Sequence, residues 1–214
     1  MPDRITLHRN SAGMLHGMSA IVNDLWGPSA PAASPAAPAK APVFPPFDQL
    51  WVRVDDTVDW TEALVRADPP DGLTPPDRWQ LYRRYASQVL SGDVAAYLDV
   101  LRAVAPLADL SPWAASFDVT AHSADHLAAA FEALPAPMAA DEAEARRYLC
   151  GMSLRIARDL FALLPVLTVT VEAQRDGRTL LDVTFRKADL VRVRFAYVDP
   201  VAYVAQCGGQ VELS

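Results

Sequence analysis

The feature that most constrains this chain is a change of apolar period at Pro165. Before it, Ala145, Tyr148, Leu149, Met152, Ile156, Leu160 and Leu163 recur at helical spacing, and Ala157, Phe161 and Leu164 widen the stripe. So broad a band predicts a helix over about 141–164, buried at the centre of the fold. Cys150, Gly151 and Ser153 are small and leave room for another element to approach closely. Arg155 and Asp159 are four apart and are expected to pair on the polar face.

After Pro165 the period is two. Leu167, Val169, Val171 and Ala173 alternate with Thr168, Thr170, Glu172 and Gln174. Leu181, Val183 and Phe185 alternate with Asp182, Thr184 and Arg186, and Val191, Val193, Phe195 and Tyr197 with Arg192, Arg194 and Ala196. This predicts three strands, each with one buried face, in an antiparallel meander laid on the long helix. Register selects the first turn. A two-residue Asp176-Gly177 loop sets Val171 against Asp182 and mixes the faces. A type I turn at Arg175-Asp176, with Gly177 left-handed in a G1 bulge, sets Val171 against Leu181 and Val169 against Val183. The apolar match favours the bulged loop. By the same parity Val191 faces Phe185. Asp199-Pro200 then opens a short helix that Gly208-Gly209 ends.

Upstream, residues 48–66 read as helix in two pieces, and 67–77 as a loop. Thr74 is placed as the cap of a helix with Pro75 at its first position, running to about Leu90. Asp93 caps a helix over about 94–105. Ser111-Pro112 starts a helical turn carrying Trp113 and Phe117, and Ser123 caps a helix to about Leu134.

At the N-terminus, Ser11 is expected to cap an amphipathic helix bearing Met14, Leu15, Met18, Ile21, Val22, Leu25 and Trp26 on one stripe. Residues 27–46 are rich in Pro and Ala and read as an extended linker, since proline removes backbone donors. The expected organisation is therefore α+β. A helical body (47–164) surrounds one long central helix, followed by a three-stranded antiparallel β-meander (167–198) and a short C-terminal helix and tail (199–214). These form one domain over 47–214, with residues 1–26 as a tethered helix.

Composition limits the function classes. The chain has 214 residues and a formal net charge of -7, which argues against a dedicated nucleic-acid binder. The charge is uneven: residues 1–145 carry 19 acids and 9 bases, whereas 146–194 carry 10 bases and 5 acids. That asymmetry reads either as solvated or mutually facing surfaces, or as an anion-binding surface near the C-terminus. No run of apolar residues is long enough for a membrane span, and the first residues do not read as a secretion signal. Two cysteines far apart, Cys150 and Cys207, suit a reducing, cytoplasmic-type compartment. Lys stands only at 40 and 187, while Arg, Ala and Pro abound, a codon-level sign of a GC-rich bacterial genome.

No G-x-S-x-G, P-loop, G-x-G-x-x-G or H-E-x-x-H pattern occurs. His122 and His126 have the spacing of two zinc ligands on a helix. Ser123 as a cap would leave His122 outside that helix, and no third ligand is evident, so no metal is expected. Glu172, Asp182 and Lys187, on or just after adjacent strands, have the residue types of a magnesium-dependent nuclease site, but not its usual order. A cross-strand charge ladder, with Arg192 and Arg194 pairing with Asp182 on the outer face, explains them with less strain. Cys207 lacks a sequence-adjacent base and reads as an inert thiol at a helix end, and Cys150 as a small core residue.

Three functional expectations follow, and the leading one involves no cofactor. The first is a non-enzymatic interaction or accessory protein. Its Met14, Met18, Ile21, Val22, Leu25 and Trp26 would bind a protein partner, a second copy, or the chain's own core. The second is a metal-dependent hydrolase built on Glu172, Asp182 and Lys187. The third is anion or nucleic-acid binding through Arg186, Lys187, Arg192 and Arg194.

Overall fold

The computed structural model describes residues 4–8, 49–54, 57–70, 72, 74–139 and 141–213. These belong to one compact unit. The expected amphipathic helix at Met14–Trp26 and the linker at 27–46 lie outside the described residues. Among those described, seven α-helices and one mixed six-stranded sheet make an α+β fold. No described helix is long and apolar enough to cross a membrane.

Helix α5, Glu142–Leu163, is the centre of the structure. Asp141 caps it by accepting from the Glu144 N–H at 2.9 Å. Almost every side chain from Tyr148 to Leu163 is buried. Topology explains a helix that is apolar nearly all round. Strand β3, His126–Ala133, is parallel to strand β4, Thr168–Arg175, and α5 lies in the crossover between them. A crossover helix packs along the sheet it connects. Leu127, Ala129 and Phe131 on β3 and Val169, Val171 and Ala173 on β4 are buried with it in one core.

The expected meander is therefore corrected. The sheet order is β1 (Arg4–His8), β2 (Ala114–Ser123), β3, β4, β5 (Arg178–Arg186) and β6 (Gln210–Val211). Residues 114–123, where a helical turn is expected only about Trp113 and Phe117, and 126–133, expected to be helical, form an antiparallel hairpin instead. Phe117, Val119 and Ala121 alternate with exposed or half-buried neighbours, as do Leu127, Ala129, Phe131 and Ala133. The alanines favour helix locally, but a period of two buries one clean face, and burial outweighs a propensity of tenths of a kcal/mol. Ser123 does not cap a helix: its hydroxyl accepts from the Asp125 N–H at 3.2 Å within the turn.

The third expected strand, 191–197, is not a strand. Helix α6 (Lys187–Leu190) turns the chain away from the sheet, and a 3₁₀ turn covers Phe195–Tyr197. β5 meets instead the short β6, where Val211 faces Leu181. Gly209 permits that approach, because a Cβ there would lie 2.6 Å from Val204 Cγ1 and 2.9 Å from Val183 Cβ.

The β4–β5 turn differs as well. Asp176 and Gly177 both have positive φ, 52° and 77°, and Arg175 faces Arg178. This is the two-residue, type I′ geometry. A register shift after Gln174 and Thr179 then leaves Val171 opposite Val183 and Val169 opposite Phe185. The apolar faces match as parity requires, but the extra residue sits in the strand and not in the loop.

Helices α1 (Trp60–Val65), α2 (Pro76–Leu90), α3 (Val94–Val104) and α7 (Pro200–Gln206) complete the body, with the single turn α4 at Pro135–Met138. Among the described residues of the expected 48–66 helix, 60–65 are helical, started by Asp59, which accepts from the Thr61 and Glu62 N–H groups at 2.9 Å. Pro75, and not Thr74, stands at the α2 cap position, and no side chain caps it. Asp93 caps α3 and Asp199 caps α7.

Candidate functional site

The three candidate catalytic groups do not converge. Glu172 and Asp182 are direct cross-strand partners on the face of the sheet away from α5, and Thr179 donates its hydroxyl to Glu172. Lys187 points to the other side. Its Nζ donates to the carbonyls of Phe161 at 2.9 Å and Leu164 at 3.3 Å, at the C-terminal end of α5. An ammonium there neutralises the negative end of the helix dipole. Burial pulls its pKa below the ordinary lysine value.

His122 and His126 stand on β2 and β3, one either side of a two-residue turn, with ring centroids 5.1 Å apart. His126 Nε2 shares a hydrogen bond with Thr170 Oγ1 at 3.0 Å, and Thr170 shares another with Thr184 Oγ1 at 2.8 Å. This polar ladder crosses β3, β4 and β5. Burial first, and the neighbouring His122 second, hold the His126 pKa below its ordinary value. Among the described residues no group of three or more His, Cys, Asp or Glu is arranged to hold a metal.

The four candidate anion-binding residues separate. Lys187 is committed to α5. Arg194 is exposed and lies outside the cleft that Arg186 and Arg192 share. That cleft, about 560 Å³, lies between the end of β5, α6 and α7, and Thr184, Asp189, Tyr203, Gln206 and Cys207 complete its lining. The two guanidiniums come from different elements. Arg186 alternates outward on β5, and Arg192 follows the turn of α6. Among the described residues neither has an ion-pair partner. The cleft brings together two planar cationic donors with hydroxyl and amide groups. Asp189 limits the total charge an incoming group meets.

Neither thiol is set up as a nucleophile. Burial raises the Cys207 pKa, Asp189 raises it further, and only the hydrogen bond with Tyr203 opposes them. Cys150 lies inside α5 and is pushed up to about 12, chiefly by burial. Both are free cysteines held as protonated thiols at neutral pH.

Tyr203, Gln206 and Thr184 carried no signal in the sequence, because the period that exposes Thr184 is common to any half-buried strand. The spacing of Arg186 and Arg192 was legible, but their convergence depends on α6 carrying the chain away from the sheet, where residues 191–197 were expected to form a strand. No protein family, curated protein or solved structure matches the chain.

Proposed function

We propose that this is a non-enzymatic interaction protein that grips an acidic segment of a protein partner in the cleft between β5, α6 and α7. The observation that supports this reading is that Arg186 and Arg192 enter one cleft with no ion-pair partner among the described residues. Val191 and Tyr197, 77% and 86% exposed, add apolar area in the segment beside them. Tyrosine and arginine are the side chains that most often carry interface energy. The net charge of -7 disfavours a long polyanion, whereas a short acidic segment meets only the basic part of the chain.

A labelled oligoglutamate peptide, followed by fluorescence anisotropy, tests the reading. Binding should weaken with added salt, and the Arg186→Ala/Arg192→Ala variant should bind at least about tenfold more weakly, as loss of two charge-assisted contacts implies. Equal affinity of the variant sinks the proposal. Tighter binding of a single-stranded oligonucleotide of equal charge would replace the partner class.

Capture of a partner by Met14, Met18, Ile21, Val22, Leu25 and Trp26 remains a second reading, supported by the sequence stripe alone. Ile21→Asp should then abolish capture while the melting temperature stays unchanged. The hydrolase reading has less support, since the Lys187 ammonium lies across the sheet from Glu172 and Asp182.

A further inference from the structure

The end of β5, which lines the arginine cleft, carries backbone groups that the fold does not use. In an antiparallel pair, residues alternate between exchanging hydrogen bonds with the partner strand and turning their N–H and C=O groups away from it. The Lys187 N–H donates to Leu167 O at 2.9 Å, just beyond the pair Thr168–Arg186. Thr168–Arg186 and, two residues back, Thr170–Thr184 are therefore the pairs that exchange no bonds. Thr184 and Arg186 direct their backbone groups away from β4, to the side that β6 occupies earlier along β5.

β6 does not reach them. It pairs Leu181 with Val211 and Asp182 with Gln210, and the Glu212 N–H donates to Leu180 O at 2.8 Å. Continued by two residues, that register would set Gly208 opposite Thr184. The Gly208 and Gly209 N–H groups instead close the end of α7, on Ala205 O at 3.0 Å and Val204 O at 2.9 Å. The Arg186 carbonyl is used, because Arg186 is the N-cap of α6 and accepts that helix's first bond. Among the described residues no backbone hydrogen bond reaches the Thr184 N–H, the Thr184 carbonyl or the Arg186 N–H from this side. Both residues are exposed, and both line the cleft. An open strand edge is a template for another extended chain.

We propose that the acidic partner segment lies extended along this edge as a short added strand, its backbone on Thr184 and the Arg186 N–H and its carboxylates on Arg186 and Arg192. This binding mode rests on the acidic-partner reading above. A helical segment would satisfy its own backbone and leave the β5 groups to water, whereas an extended one meets the free backbone and both guanidiniums. An acid directly across from Arg186 makes an opposite-charge pair on the outer face of the sheet.

Two peptides separate backbone from charge: oligoglutamate, and oligoglutamate N-methylated at every residue, which keeps the carboxylates and loses the N–H donors. With the full chain, saturating oligoglutamate should slow hydrogen exchange at the Thr184 and Arg186 amides at least about tenfold. The N-methylated peptide should bind at least about tenfold more weakly than the unmethylated one. Oligoglutamate that binds without protecting either amide, or equal affinity of the two peptides, overturns the added strand and leaves the acidic-partner reading standing. Failure of oligoglutamate to bind at all overturns both.

Discussion

Two pairs of arginines sit in this molecule under opposite conditions. Arg155 and Arg158 belong to α5 and are committed. Arg155, 5% exposed, binds Asp159 at 2.7 Å, Asp109 at 2.8 Å and the Leu50 carbonyl at 3.4 Å. Arg158 donates to the carbonyls of Trp51 and Val52 and lies 3.6 Å over the Phe195 ring. Together they clamp residues 50–52, an irregular segment whose carbonyls no sheet or helix satisfies. Arg186 and Arg192, by contrast, are exposed and share a cleft without ion-pair partners among the described residues. The α5 pair, Arg155 buried and Arg158 half-buried, is architecture, because a charge taken out of water must be compensated. The exposed pair costs the fold little and is free to serve a ligand. Position relative to α5, and not residue type, separates the two roles.

The largest effect that would sharpen this contrast is from Arg155→Ala. It removes the guanidinium that Asp159, 2% exposed, meets at 2.7 Å, and should lower stability by about 3–5 kcal/mol in urea titration. A loss under 1 kcal/mol would mean that the pair behaves like a surface salt bridge. Next comes Gly151→Ala. The new Cβ would lie 2.8 Å from Trp51 Cε3, so the ring beneath the clamped segment must move, at a cost of about 1–3 kcal/mol.

A smaller effect concerns His126, half-buried on the open face of the sheet. Its folded pKa lies below the ordinary 6.5, so between the two values the unfolded chain binds more protons. Stability should therefore be full above pH 6.5, fall as pH drops through that window, and level off below the folded pKa. Melting curves against pH should show the fall, and His126→Gln, which can keep a hydrogen bond to Thr170, should reduce it. The smallest effect is that of Arg186→Ala with Arg192→Ala, which should alter stability by no more than about 0.5 kcal/mol.

How far the sequence foretold this follows the same division. Helix α5 was legible because a wide apolar stripe has one interpretation, and the close approach allowed by Gly151 was legible from its small side chain. β4 and most of β5 were legible from strict alternation. The β2–β3 hairpin was not, because Ala121, Ala128, Ala129, Ala130 and Ala133 suit a helix as well as a strand, and the decision lies with tertiary burial. Arg155 and Asp159 were correctly paired four apart, but their burial was hidden, since the chain that covers them comes from residue 50 and the loop at Asp109. The arginine cleft was half legible: the residues were, their convergence on α6 was not.

The most direct test of the central claim, that the exposed arginines recognise an acidic partner while the buried ones hold the fold, is charge reversal in the cleft. Arg186→Glu/Arg192→Glu should keep the wild-type melting temperature, lose oligoglutamate binding, and show no salt-dependent remainder. A double variant that still binds oligoglutamate with wild-type affinity and salt dependence would contradict the account.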